Sequence, residues 1–256
     1  MPLRAVLWDF DDTLVPVHTL ERWQWAWKPQ GPRLNERHVR ASIREGLRRW
    51  DRRRWQGLMG DSPPADAAAY REALREMLFA IADRSLPDVE TEAVLTRFPK
   101  YPGPIEAYPD VRPCLEELKA LGLRMAVVVG SDGSRARELL AQLRLTELLP
   151  QTFGEEPEGP HAPAAEAFES ACSRLEVLPA EAAFVGDLFW SDIRAAGRVG
   201  LHGILLDRHD WWGRVESPRI HTLSELREKL IGLDAAPGEP AASTPPTSPK
   251  TDGPMG

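Results

Sequence analysis

Acidic and hydroxyl side chains follow three separate apolar segments of this 256-residue chain. Residues 9–13 read DFDDT and come directly after the first of these segments. Residues 130–133 read GSDG after the second, and residues 186–192 read GDLFWSD after the third. Ligands of open α/β sheets bind beyond the carboxyl ends of the strands, so three polar clusters in this position predict one shared site.

The charges in this site indicate its chemistry. Several carboxylates that converge on one point repel each other strongly, so they need a cation. Oxygen ligands that share the ion with substrate oxygens favour Mg²⁺ over zinc or copper, with Asp9 and Asp187 as the natural ligands. Ser131 stands at the start of a predicted helix, where unpaired N–H groups favour an anion. A divalent cation beside an anion pocket and an Asp nucleophile predicts phosphoryl transfer.

Four short apolar runs predict the strands that position these clusters. Continuous apolarity is typical of parallel strands that are covered on both faces. The runs occupy residues 4–8, 124–129, 182–185 and 203–206. Helical periods follow at residues 111–121, 134–145, 163–175 and 192–199. Asp110 is the expected cap of the first helix, and a last helix opens with the capping-box pattern Thr222-x-x-Glu225. This alternation predicts an α/β fold built on a doubly wound parallel sheet.

Residues 16–107 break this alternation and predict an inserted helical cap domain. The segment is helical in pattern, dense in Arg and contains five tryptophans, at positions 23, 25, 27, 50 and 55. We expect most of these rings to form the core of the insertion. The α/β core would then comprise residues 1–15 and 108–233. Residues 234–256 are rich in Pro, Ala, Ser and Thr and predict a disordered tail.

Composition excludes several classes of protein. With 32 basic and 39 acidic residues the net charge is −7, which argues against a nucleic-acid partner. The Arg-rich stretch at residues 48–54 is therefore interpreted as a solvated helix face. The N-terminal apolar run is too short for a signal peptide, and no apolar run approaches the roughly 18 residues of a membrane span, so we expect a cytoplasmic protein. Cys114 and Cys172 fall in helical apolar patterns and are predicted to be buried free thiols.

The three polar clusters, in this order, resemble motifs I, II and IV of the haloacid dehalogenase-like (HAD) superfamily of phosphatases. DFDDT matches the first motif, SDG the second, and GDxxxxD the last. The resemblance covers roughly residues 3–14 and 108–232, and the insertion sits where that family places a helical cap of the C1 type. It implies a Mg²⁺-dependent phosphohydrolase that acts on a small phosphorylated metabolite through an aspartyl-phosphate. The oligomeric state stays open.

The resemblance also implies a role for each matching residue. Asp9 would be the nucleophile. Asp11 would protonate the leaving oxygen and then deprotonate water, while its backbone carbonyl helps Asp9 and Asp187 to hold Mg²⁺. Because the family's dehalogenases lack a carboxylate at the position of Asp11, phosphoryl chemistry is favoured over carbon–halogen cleavage. The phosphate-binding residues would be Ser131 and Asp132, and the supporting ones Thr13 and Asp192.

One motif of the family is not matched. Its third motif is a Lys, usually in the setting K-P-x-P-x-x-F, whereas residues 161–168 read HAPAAEAF and place Ala162 at the lysine position. The adjacent His161, or an arginine such as Arg135 or Arg137, could supply the missing charge. The loss of a charge that stabilises a transition state commonly costs about 10²–10³ in rate. Three functions therefore stay open: a phosphatase, a catalytically weakened binding or regulatory protein of the same fold, and a phosphomutase.

Two further features have simpler interpretations. Asp12 is expected to be a solvated neighbour of the catalytic residues. Trp211 and Trp212 follow the fourth predicted strand, and a partner-binding patch is a minority hypothesis for this pair.

Overall fold

Six parallel strands form the centre of the molecule in a computed structural model that describes residues 2–31, 33–60, 67–130, 133–154 and 165–235. Their order across the sheet is β3-β2-β1-β4-β5-β6. The strands are β1 (Ala5–Trp8), β2 (Arg124–Val128), β3 (Thr152–Phe153), β4 (Ala182–Gly186), β5 (His202–Leu206) and β6 (Arg219–Ile220). The predicted doubly wound parallel sheet is confirmed, and two short edge strands, β3 and β6, were not predicted.

Helices cover both faces of this sheet and also form the insertion between β1 and β2. The insertion contains α1 (Leu20–Trp27), α2 (Glu36–Leu58), α3 (Ala67–Ala82) and α4 (Asp88–Arg97). The helices around the sheet are α5 (Val111–Ala120), α6 (Gly133–Gln142), α7 (Ala165–Arg174), α8 (Ala195–Arg198) and α9 (Leu226–Ala235). A π-helical segment, Phe189–Arg194, runs directly into α8.

The sheet is buried on both sides because successive side chains of its strands point to opposite faces. In β1, Val6 and Trp8 belong to the apolar cluster that contains residues of α5 and α9. Ala5 and Leu7 belong to the opposite cluster, with Phe168 of α7. All four side chains of β1 are buried, as continuous apolarity predicts for a central parallel strand.

The inserted helices have an apolar cluster of their own. Trp23, Trp27, Ile43 and Met77 are among its buried members, which agrees with the prediction for two of the five tryptophans. Helices α2 and α3 approach closely at Gly46, where a Cβ atom would stand 2.1 Å from Cγ of Met77. The chain returns from the insertion at residue 108, whose backbone N–H donates to the carbonyl of Leu14 at 3.0 Å. The exact domain limits at residues 15/16 and 107/108 stay a prediction.

The two predicted helix starts have different outcomes. Asp110 precedes α5 but makes no side-chain cap to it; its carboxylate instead accepts from Arg208 and from the N–H of Leu223 at 2.9 Å. A long-range ion pair therefore takes the place of the expected cap. The capping box of the last helix is present, and the Glu225 carboxylate accepts from the Thr222 N–H at 2.9 Å.

The remaining predictions about buried and terminal segments have mixed outcomes. Cys114 and Cys172 are buried free thiols, as predicted, and burial raises the pKa of Cys172 to about 11. Within the described ranges, no helix is long and apolar enough to cross a bilayer. Helix α9 ends at Ala235, two residues inside the predicted tail, and residues 236–256 lie outside the described part of the chain.

Candidate active site

The ends of two neighbouring strands bring the predicted carboxylates together. Strands β1 and β4 pair in parallel with Trp8 opposite Val185, and the Asp9 N–H donates to the Val185 carbonyl at 2.9 Å. Asp187 follows β4 directly, so both acidic residues lie at the same edge of the sheet. Carboxylate oxygens of Asp9, Asp187 and Asp192 all lie within 4.8 Å of one another.

The electrostatics of this cluster fit a divalent cation. Burial, and then repulsion from the neighbouring carboxylates, raises the pKa of Asp9 and of Asp187 well above its usual range. Burial likewise raises the pKa of Asp192 to about 7, with Arg54 acting in the opposite direction. Among the described residues, the buried Oδ2 atom of Asp9 has no hydrogen-bond partner. Oxygen donors that repel each other and include an unpaired buried oxygen form a set that suits Mg²⁺.

Close packing holds Asp192 beside the strand end. A Cβ atom on Gly186 would stand 2.7 Å from Oδ2 of Asp192, so only glycine admits this approach. The same carboxylate accepts from the Leu188 N–H at 3.2 Å and from the Ser191 hydroxyl at 3.5 Å. Asp192, which the resemblance implied only as a support, thus lies within the acidic cluster itself.

Helix α2 of the insertion contacts the segment that follows β4, residues 187–192, through a residue that the sequence analysis missed. The carboxylate of Asp51, fully buried, accepts from the Trp190 N–H at 2.8 Å and from the Ser191 N–H at 2.7 Å. It therefore takes up two backbone donors at the start of the π-helical segment, where unpaired N–H groups attract an anion. Burial raises the pKa of Asp51, although both amide bonds oppose that rise.

The interpretation of residues 48–54 as a solvated face is wrong for several members. Trp50 and Arg54 are buried together with Asp51, and Nη2 of Arg54 lies 3.9 Å from Oδ1 of Asp192. These positions continue the stripe of Ile43 and Leu47 at spacings of three and four residues, which marks the inner face of a helix. That periodicity was the signal in the sequence that could have identified them.

Asp11 lies apart from the acidic cluster. Its carboxylate, about half-exposed, pairs with Nη1 of Arg135 at 2.8 and 3.0 Å. Burial disfavours the charged guanidinium, but Asp11 outweighs this and raises the pKa of Arg135. Of the two arginines suggested by the sequence, Arg135 thus reaches the predicted site, whereas the guanidinium of Arg137 lies beside Gly133 at the start of α6.

Asp12 is not a solvated neighbour. It adopts a φ of 59°, a left-handed conformation that Asp tolerates better than most residues. Its carboxylate accepts from the backbone N–H groups of Val17 and His18 at 2.7 and 3.1 Å and contacts Nδ1 of His18 at 2.5 Å. Although burial acts to raise it, the pKa of Asp12 is lowered by His18 and these amides. Asp12 therefore fixes the turn that carries the chain from β1 into the insertion.

The tryptophan pair after β5 is part of the site's framework. Trp212 is buried, and its Nε1–H donates to the backbone carbonyl of Asp187 at 2.7 Å. Asp207 accepts from the N–H groups of Trp211 and Trp212 at 2.6 and 3.1 Å. The partner-patch hypothesis is therefore wrong for Trp212.

Thr13 is fully buried too. Its hydroxyl acts against the rise in the pKa of Asp9, although the hydroxyl and the Asp9 carboxylate fall short of ordinary hydrogen-bond geometry.

A cavity of about 730 Å³ opens between the strand ends and the inserted helices. Asp9, Asp11, Asp12 and Asp187 line its sheet side, and rings from the insertion, including Trp50, line the opposite side. Four sequence-predicted positions, Ser131, Asp132, His161 and Ala162, lie outside the described residues. The description of α6 resumes at Gly133, directly after the predicted phosphate-binding pair.

The buried carboxylates lie at the strand ends of a parallel α/β sheet, where such folds bind their ligands, and a helical insertion covers them. A family model described as haloacid dehalogenase-like hydrolase matches residues 3–200. The chain belongs to this family, so the predicted superfamily and enzyme class are confirmed.

Relatives of this chain include both phosphatases and dehalogenases. The glyceraldehyde 3-phosphate phosphatase of Methanopyrus kandleri is 27% identical over 221 residues, which cover 80% of this chain and 84% of that protein. The (S)-2-haloacid dehalogenase 1 of a Pseudomonas species is 29% identical over 133 residues, 52% of this chain and 56% of that enzyme. The chain thus matches little more than half of the dehalogenase.

Solved structures support the fold. The crystal structure of a HAD-hydrolase from Bacillus subtilis bound to magnesium has a TM-score of 0.63 at 14% identity, covering 90% of this chain and 99% of that one. At this identity the likeness shows the fold alone. The predicted α/β core with a helical insertion is therefore shared with this protein.

Proposed function

We propose that this protein is a Mg²⁺-dependent phosphohydrolase that acts on a small phosphate ester through an aspartyl-phosphate. The observation that carries the proposal is the cluster of Asp9, Asp187 and Asp192 oxygens within 4.8 Å at the end of the sheet. Asp9 and Asp187 of this cluster line the cavity. The carboxylate of Asp11, which distinguishes phosphatases from dehalogenases in the family, lines the same cavity. Phosphatases among the relatives support this choice.

Asp9 and Asp187 would hold the cation, with the main-chain carbonyl of Asp11. When bound, Mg²⁺ offsets the negative charge of the carboxylates and of the phosphoryl oxygens. No residue in the described part of the chain forms a hydrogen bond with Oδ2 of Asp9 that would weaken this atom as a nucleophile. Trp212 and Asp192 position the backbone and side chains around Asp187 through the contacts described above.

The reaction proceeds in two displacements. Asp9 attacks the phosphorus atom, the bond from phosphorus to the ester oxygen breaks, and Asp11 gives its proton to that leaving oxygen. Asp11 then takes a proton from water, and the water oxygen attacks the phosphorus atom of the aspartyl-phosphate. Inorganic phosphate leaves, and the Asp9 carboxylate and the Asp11 proton are both restored.

Arg135 is our candidate for the positive charge that the third motif lacks. It lies in the first turn of α6 and reaches Asp11. A bound phosphoryl group, which carries more charge than a carboxylate, competes for this guanidinium and leaves Asp11 free to exchange protons. Arg135→Gln should then lower kcat/KM by roughly 10²–10³. The matched variant Arg137→Gln, on the same helix but beside Gly133, should keep wild-type activity.

The test of the proposed function is turnover of p-nitrophenyl phosphate with and without Mg²⁺. We expect Mg²⁺-dependent release of nitrophenol by the wild type and none above background from Asp9→Asn. Equal rates for the two proteins would refute the assignment of Asp9. A screen of phosphorylated metabolites would then identify the substrate.

The second candidate is a catalytically weakened binding or regulatory protein, favoured by Ala162 at the lysine position of the third motif. Its test is Ala162→Lys. Activity that appears only in this variant would support the second candidate, and an active wild type would exclude it.

A further inference from the structure

Arg22 is a buried cation that the described part of the chain leaves without a counter-charge contact. It lies on α1 and is 8% exposed. Within the described ranges its guanidinium makes no hydrogen bond or ion pair, and its Nε is buried without a partner. Buried charged groups in proteins are normally hydrogen-bonded or paired, so the N–H donors of this guanidinium are suited to an anionic ligand.

The surroundings of Arg22 keep its guanidinium in the cavity. Two rings flank it, with its Cζ atom 5.5 Å from the centroid of Phe98 and 5.7 Å from that of Tyr101. All three residues line the cavity above the acidic cluster. Aromatic faces hold a planar guanidinium in place without using its N–H donors, which stay available for an anion.

Other arginines of the cavity already have carboxylate partners. Arg71 pairs with Glu92 on the outer side of the insertion, and Arg54 lies beside Asp192. Arg135 pairs with Asp11. Burial, and then repulsion from Arg135, lowers the pKa of Arg22, although Asp11 and Asp12 act in the opposite direction. Arg22 and Arg135 both line the cavity, so one ligand bound there can contact both.

We propose that Arg22 binds a second anionic group of the substrate, a carboxylate or a second phosphate, while the first phosphate lies at the acidic cluster. This inference rests on the proposed function and narrows its substrate class to phosphate esters with two anionic groups. The guanidinium fork matches the paired oxygens of a carboxylate or phosphate. The cavity of about 730 Å³ has room for a metabolite that spans both ends.

Matched substrate pairs test the proposal and distinguish the two kinds of anion. 3-Phosphoglycerate and glycerol 3-phosphate differ by a carboxylate, and ribulose 1,5-bisphosphate and ribulose 5-phosphate differ by a second phosphate. We expect kcat/KM to favour the member of one pair that has two anionic groups roughly 10- to 100-fold, and Arg22→Gln to bring that ratio near one. Preference in the first pair identifies a carboxylate, and preference in the second a phosphate.

Control variants separate recognition from folding. Arg22→Lys keeps the charge and should restore part of the ratio. Arg75→Gln removes an exposed cation of the insertion that pairs with Asp88, and it should leave the ratio at the wild-type value. Thermal unfolding monitored by circular dichroism shows whether each variant is folded. A ratio near one in the wild type, an unaltered ratio in folded Arg22→Gln protein, or a ratio in folded Arg22→Lys protein no higher than in Arg22→Gln would overturn the proposal.

Binding measurements keep this proposal distinct from the proposed function. If no phosphate ester is hydrolysed, isothermal titration calorimetry on Asp9→Asn with Mg²⁺ compares the affinities for the same four compounds. A preference for a compound with two anionic groups that Arg22→Gln removes would support the role of Arg22 even though hydrolysis had failed. Equal affinities within both pairs would overturn it.

Discussion

Asp51 joins the inserted helices to the loop that carries the acidic cluster. It is fully buried, and the N–H groups of Trp190 and Ser191 donate to its two oxygens at 2.8 and 2.7 Å. Those donors lie between Asp187 and Asp192 in the sequence. Removal of the carboxylate by Asp51→Ala should therefore loosen both the packing of α2 on the sheet and the proposed metal site.

The size of the effect follows from the bonds that are lost. A hydrogen bond to a charged group contributes about 1.5–3 kcal/mol. Burial penalises the Asp51 charge, as its raised pKa shows, so the net value of two bonds falls below twice that range. We expect Asp51→Ala to lower the free energy of unfolding by about 2–4 kcal/mol. Asp51→Asn keeps one acceptor oxygen but turns an NH₂ group toward the second amide, so about half of that loss is expected.

Urea unfolding of the full chain measures these differences. The control is Glu45→Ala on the same helix, which removes an exposed ion pair with Arg49 and should change stability by less than about 0.5 kcal/mol. The Mg²⁺ concentration needed for half-maximal thermal stabilisation should rise in Asp51→Ala but not in Glu45→Ala. An Asp51→Ala protein as stable as the control, with an unaltered response to Mg²⁺, would refute the role of Asp51.

Three other predictions concern the same edge of the sheet. Burial raises the pKa of Asp192 from 3.8 to about 7. Between these two pH values the folded metal-free chain binds more protons than the unfolded chain, so its stability falls as the pH rises. Mg²⁺ should therefore raise the Tm more near pH 8 than near pH 5, and equal shifts in a fluorimetric melt would contradict this. Trp212→Phe removes the N–H bond to the strand-end carbonyl and should cost about 0.5–1.5 kcal/mol and weaken the response to Mg²⁺, unlike Trp211→Phe. Gly186→Ala places a methyl group 2.7 Å from a carboxylate oxygen of Asp192 and should lower the free energy of unfolding by about 1–3 kcal/mol. Gly197→Ala, where the added Cβ atom would meet open space, should not destabilise the chain in the same urea titration.

Local pattern predicts the centre of this fold better than its edges. The four strands predicted from apolar runs are each four or five residues long, and most of their residues are buried. Strands β3 and β6 contain two residues each, too few for any periodicity to register. The site's carboxylates were predictable for a related reason, because parallel strands present their carboxyl ends at one edge.

The residues that support those carboxylates were not predictable in the same way. Asp51 contacts amides that are 139 and 140 positions away in the chain, and Trp212 contacts a carbonyl 25 positions away. Such pairs depend on how the insertion and the β5–β6 connection pack on the sheet, which local periodicity does not encode. Asp12 was misjudged because its environment depends on a turn that folds back on itself through His18.

The distribution of charge at the site bears on the missing lysine of the third motif. The chain contains five lysines and 27 arginines, and arginines supply the cations of the cavity: Arg135 at Asp11, Arg54 beside Asp192, and Arg22 between two rings. A guanidinium stays protonated even where burial lowers its pKa, and it binds paired oxygens that a lysine contacts only as a point charge. Helices α1, α2 and α6 therefore carry the positively charged residues of this site, and the ends of β1 and β4 carry the negatively charged ones. Because α1 and α2 belong to the insertion, their packing on the sheet determines how much of that positive charge faces a substrate.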